Sequence, residues 1–171
     1  MIKKDIINSS IVDLALVKKQ LIIESDFVED DDLLQLYINS AIEYLENKIH
    51  SDIYSKNCTL TIENFRGNKL IIEETPLKSI EEVKVDGQII SGYTFNDDSF
   101  LDFRIEFDDY IDDSKIEVKF KTGYTTIPTP LLHCILLLVN DSYENRGTEF
   151  YSEKSQMAVL NKINSYIRKY Y

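Results

Sequence analysis

TPLLHCILLLVNDSYENRG, residues 129–147, sets an almost unbroken apolar run, residues 131–139, directly before a polar and aromatic tail. Thr129 is placed to be an N-cap, Pro130 to take the first helical position, where its missing N–H does no harm, and Gly147 to close the helix. The apolar run is far too short to span a bilayer. A helix apolar nearly all round must instead be covered on every side, by its own chain or by a neighbouring one.

Working outward, the last segment, EKSQMAVLNKINSYIRKYY, places Met157, Leu160, Ile163, Ile167 and Tyr170 on one helical face. Near the N-terminus, Ser10 precedes IVDLALVKKQL, where Leu14, Val17 and Leu21 recur at helical spacing and Lys18 and Lys19 suit the negative C-terminal end. An acid-rich start, ESDFVEDDD, then leads into LLQLYINSAIEYLENKI, with Leu34, Ile38, Ala41, Leu45 and Ile49 in one stripe widened by Leu33, Tyr37 and Tyr44.

Between the helical pairs the period falls to two. Leu60, Ile62 and Phe65 alternate with polar residues, RGN at 66–68 reads as a turn, and KLIIEE returns. Asp86-Gly87 supplies the positive φ angles of a tight hairpin. LDFRIEF and KIEVKF read as an antiparallel pair joined by an acidic turn, DDYIDDS, with Leu101, Phe103, Ile105 and Phe107 on one face and Ile116, Val118 and Phe120 doing the same. The expected class is α+β: a single domain, 1–171, with a four-helix core of two N-terminal and two C-terminal helices and an antiparallel β lobe inserted at 58–121.

The chain's 171 residues, 43% hydrophobic, suffice for one real core and hardly for two. Thirty Asp and Glu against 19 Lys and Arg give a net charge of −11, so duplex DNA and anionic membrane surfaces are repelled by the molecule as a whole. MIKKDIINSS holds no apolar core of signal-peptide length, and the expected location is the cytoplasm in which the chain is made. Cys58 and Cys134 sit in apolar periodic segments and read as buried free thiols.

Chemistry is sparse. His50 and His133 lack a Ser, Cys or carboxylate constellation at motif spacing, and His133 reads as a packed or interface histidine. The acids at 29–32, 97–98, 108–109 and 112–113 lack the alternation and sixth-position Gly of a calcium loop, and solvated turns and helix starts explain them. The scattered glycines build neither a phosphate loop nor a dinucleotide fingerprint. No catalytic, cofactor or metal residue is assigned. What stands out is aromatic: 11 Tyr and no Trp, with Tyr166, Tyr170 and Tyr171 beside Arg168 at the C-terminus, residue types favoured at protein interfaces.

The order of segments carries a resemblance. LVKKQLII followed by DDDLLQLYINSAIEYLENKI, then PLKSIEEVKVDG, then IEVKFKTGY and IPTPLLHCILLLVNDSYENRG, resembles the head-to-tail connector proteins of long-tailed bacteriophages, the head-completion or DNA-packaging adaptor family. The likeness runs from Val12 to Gly147. Its most specific parts are Gly123-Tyr124 leading to Ile127-Pro128 and the helix ending Tyr143-Glu144-Asn145-Arg146. It implies a structural, non-enzymatic protein of the virion's head-tail junction, made in the host cytoplasm and forming a ring on the portal vertex. The implied partners are the portal protein, a tail-side stopper or tail-completion protein and copies of itself, with DNA only as passing cargo and no membrane. Tyr143, Arg146, Tyr166, Arg168, Tyr170 and Tyr171 are the expected interface residues. A monomeric acidic protein-binding module and a metal-dependent hydrolase using the Asp clusters are the readings from other classes.

Overall fold

The computed structural model describes residues 1–7, 11–98, 102–146 and 151–167. They fall into two compact units, one drawn from residues 1–7 and 51–125 and the other from 11–50 and 126–167. With four helices and six antiparallel strands among the described residues, the chain is α+β. No described helix is long and apolar enough to cross a membrane.

The helical unit contains α1 (Leu14–Leu21), α2 (Asp31–Ile49), α3 (Thr129–Glu144) and α4 (Glu153–Ile163). Asp13 caps α1, its carboxylate accepting from Ala15 N at 2.9 Å; Ser10 lies outside the described residues. The α2 stripe is as expected: Leu34, Ile38, Ala41, Leu45 and Ile49 are all buried, and Ile42 joins them. Burial of each large side chain there contributes about 1.5–3 kcal/mol. Pro128 is the N-cap residue of α3, so Thr129 and Pro130 sit one position deeper than the spacing predicts; Gly147 lies outside the described residues. The greasy helix has a simple cause, because α3 packs against α1, α2 and α4 alike. Leu131, Cys134, Ile135, Leu138 and Val139 are buried, Leu132, Leu136 and Leu137 half-buried, and His133 is exposed rather than packed.

The other unit is one sheet. Its strands are β1 (Ile2–Ile6), β2 (Lys56–Ile72), β3 (Leu77–Val85), β4 (Gln88–Ile89), β5 (Tyr93–Asp98) and β6 (Asp102–Thr122), in the order β1-β2-β6-β3-β4 with β5 also paired to β6. Asp86 and Gly87 turn β3 into β4 with φ of 48° and 81°, as the dipeptide predicts. The two turns expected at 66–68 and 108–114 are not turns. β2 and β6 each run straight through, and the two polar stretches lie opposite one another, Phe65 against Ser114 and Gly67 against Ile111, with register shifts between them. Asn64 and Asp113, at φ of 54° and 50°, and Gly67 supply the bulge conformations. Arg66 lies 3.4 Å from both Asp112 and Asp113 across the ribbon.

Those bulges fold the ribbon over. Phe103 and Phe120 are seventeen positions apart on β6, roughly 56 Å along a straight strand, yet their rings meet edge to face with centroids 5.2 Å apart. The two halves of β6 therefore face each other across a core of Leu60, Leu70, Ile72, Ile105, Ile116 and Val118. Polar residues that read as loop are the exposed outside of a bend.

Candidate assembly surface

Tyr143 and Arg146 come together at the end of α3, and what they hold is Asp30, the N-cap residue of α2. The Tyr143 hydroxyl donates to Asp30 Oδ2 at 2.8 Å, Arg146 Nη2 donates to the same oxygen at 2.7 Å, and the guanidinium lies 4.3 Å from the Tyr143 ring centre. The Tyr143 bond, then Arg146, holds the Asp30 carboxyl below its ordinary pKa, while the Asp30 carboxylate pushes the Tyr143 phenol up. The same end of the α1–α2 connection is anchored a second time, from α1. Lys18, buried in the last turn of α1, donates to Phe27 O at 2.8 Å and pairs with Asp31 at 2.6 Å.

A buried carboxylate sets the corner between α3 and α4. Asp141 Oδ2 accepts from Ser152 N at 2.7 Å and its Oδ1 from Ser152 Oγ at 2.8 Å, and Ser152 Oγ in turn caps α4 by accepting from Ser155 N. That tie fixes the rotation of α4, and the expected stripe is corrected by it. Val159 and Ile163 are the buried pair, whereas Met157 is 66% exposed and Leu160 40%. Helix α4 ends at Ile163, so Ile167 does not continue its face; Tyr166 N donates to Ile163 O at 2.7 Å in the following turn. Arg168, Tyr170 and Tyr171 lie outside the described residues.

Sequence reasoning missed Asp30 and Asp141. Asp30 could be read only as one acid in a run, and its partners lie 113 and 116 positions away. Exposed apolar side chains form a further feature of this unit: Ile22, Phe27 and Val28 in the α1–α2 connection, Leu36 on α2, and Met157 and Leu160 on α4.

In the sheet unit, Asp52 gathers a buried polar cluster: Lys56 at 2.7 Å, Lys4 at 3.1 Å and the Thr122 hydroxyl at 2.8 Å. Burial pushes its carboxyl up, but the ion pairs and hydrogen bonds outweigh that and hold it below its ordinary pKa. Cys58 and Cys134 are buried and free, and burial raises both thiols. Among the described residues no three His, Cys, Asp or Glu side chains gather as metal ligands would.

Residues 11–88 match the family model of phage gp6-like head-tail connector proteins. No curated protein sequence matches the chain. Among solved structures, a chain from the neck of an empty gene transfer agent particle computed with C6 symmetry superposes with a TM-score of 0.82 at 18% identity, covering 100% of this chain and 97% of that one. A chain from the neck of the native particle computed with C12 symmetry gives 0.78 at 14% identity with the same coverage. One from the virion of the native particle gives 0.73 at 17%, covering 93% of each chain. Over residues 11–88 the chain is thus similar to the gp6-like head-tail connector proteins, and it shares the fold of those particle chains across its whole length.

Proposed function

We propose that this protein is a structural connector of a phage-like head-tail junction. Copies form a ring on the portal vertex that completes the filled head and leaves a conduit for DNA to the tail. The observation that carries the reading is the coincidence of two independent matches: the connector family over residues 11–88, and a neck-chain fold over the full length. The portal and a tail-side completion protein are the outer partners. The part played is assembly and not catalysis, and the charge of −11 suits a wall along which DNA slides without sticking. We assign the outer contacts to the end of α3 and the C-terminal segment: Tyr143, Arg146, Tyr166, Arg168, Tyr170 and Tyr171. Arg146 is half exposed while it holds Asp30, leaving guanidinium surface for a partner.

The test is negative-stain imaging and light scattering of the purified protein alone and mixed with the portal of the same particle. Rings should form or grow markedly on the portal, which supplies effective concentration. A small tight dimer that the portal leaves unchanged would refute the reading.

A further inference from the structure

We propose that neighbouring copies meet through two unlike surfaces of the helical unit: the α1–α2 connection, residues 22–29, docks on the outward face of α4 of the next copy. Ile22 and Val28 reach Met157 and Leu160 there, and the acids of the connection face Lys154. This inference rests on the ring reading above and names the contact that closes the ring.

The first support is Ile22. It caps α1 in the left-handed region, φ 58° and ψ 39°, and its side chain is 94% exposed. Glycine or asparagine fits such a position; a β-branched residue there is strained and, being exposed, gains nothing from its own chain. Val28 is 64% exposed beside it in the same connection. A side chain costly in two ways and useless within the chain points to a contact outside it.

Second, the connection is held ready. Lys18 ties Phe27 and Asp31 and Tyr143 and Arg146 tie Asp30 at its α2 end, while at its α1 end Ile23 N donates to Lys18 O at 2.9 Å, so both ends are fixed. A loop fixed beforehand loses little freedom on docking.

Third, closed rotational symmetry needs an interface between unlike patches, because each copy must offer one surface to the neighbour ahead and another to the neighbour behind. The neck assemblies that share this fold were computed with C6 and C12 symmetry. On α4, Met157 and Leu160 are exposed three positions apart on one face, with Lys154 one turn before Met157. Charge decides which patch meets which. Residues 22–32 carry Glu24, Asp26, Glu29 and Asp30 to Asp32, whereas residues 151–167 hold Lys154 and Lys162 against Glu153. Connection against connection would set acid on acid; connection against α4 sets acid on base.

The experiment uses the full chain with Ile22→Cys and Met157→Cys together; native Cys58 and Cys134 are buried. Under conditions where wild-type rings are seen by electron microscopy, alone or on the portal of the same particle, mild oxidation should give a ladder of cross-linked copies, and each single variant none. Ile22→Gly relieves the strained backbone, so the monomer should melt at the same or a higher temperature while the concentration needed for rings rises about tenfold or more, equal to about 1.4 kcal/mol per contact. Wild-type rings without a cross-linked ladder, or rings of the Ile22→Gly variant at unchanged concentration, would overturn the proposed contact and leave the ring reading standing. Absence of wild-type rings under either condition would overturn both.

Discussion

Replacing Gly123 with Ala should be among the most damaging single-atom additions this chain can suffer. As the chain leaves β6, Gly123 N donates to Pro76 O at 3.0 Å and Tyr124 N to Ile53 O at 3.2 Å, drawing three segments together. A Cβ built on Gly123 would lie 2.0 Å from Tyr54 O and 2.5 Å from Tyr54 C, backbone atoms that cannot swing aside. Relief requires the segments to separate by more than 1 Å or so, which breaks both hydrogen bonds at about 1 kcal/mol each. The φ of +86° adds about 1–2 kcal/mol for any L side chain. The expected loss is about 3–4 kcal/mol, a large part of the roughly 5–15 kcal/mol that holds a typical domain. Gly87→Ala is the control, since its φ of +81° imposes the same backbone cost but a Cβ there meets nothing within 4 Å. In urea unfolding followed by circular dichroism, with a slope of about 2 kcal/mol/M, the midpoint should fall by about 2 M for Gly123→Ala and by about 0.5–1 M for Gly87→Ala. Equal shifts for the two variants would show that the close approach to Tyr54 carries no weight.

Two further expectations follow from the same geometry. Asp52→Asn removes the buried carboxylate that Lys56, Lys4 and the Thr122 hydroxyl share and should cost about 3 kcal/mol at neutral pH; because the folded carboxyl titrates below its ordinary value, the Asp52 contribution is present above about pH 4 and lost as pH falls further. The variant's acid unfolding curve should therefore be shallower below pH 4, and an unchanged curve would count against the cluster. Deleting residues 166–171 removes none of the buried side chains of α4, Val159 and Ile163, so the protein should stay folded with a melting temperature within a few degrees while its attachment to portal or neighbours weakens; an unfolded product, or normal attachment, would refute that assignment.

What could be read from sequence was what periodicity and local turn chemistry encode. The α2 stripe, the apolar α3 and the Asp86-Gly87 hairpin are decided within a dozen residues of themselves, and all are in the structure. β1 and β5 escaped because IKKDI is apolar only at its ends and YTFNDD alternates over just four residues before two acids; each is paired along β2 or β6. The RGN and DDYIDDS stretches imitate turns since their residues are polar, yet each is paired to the other from more than forty positions away. On α4, the apolar stripe through Met157 and Leu160 was real as a pattern, but the buried Asp141 carboxylate, gripping Ser152, chooses which side faces inward. The clasp of Tyr143 and Arg146 on Asp30 was half visible: the residues stood out, and the distant acid they hold did not.

The helical unit is assembled from residues 11–50 and 126–167, and that split governs how it can be made. On a ribosome, α1 and α2 emerge long before α3, the helix that covers them. At roughly 5–20 residues per second, residues 51–125 take about 4–15 s to synthesise. Throughout that interval Leu34, Ile38, Ala41 and Leu45, all buried in the finished protein, have no lid. The acids crowded at 24–32, beside that bare face, are then the nascent chain's own defence against sticking to its neighbours on the same message.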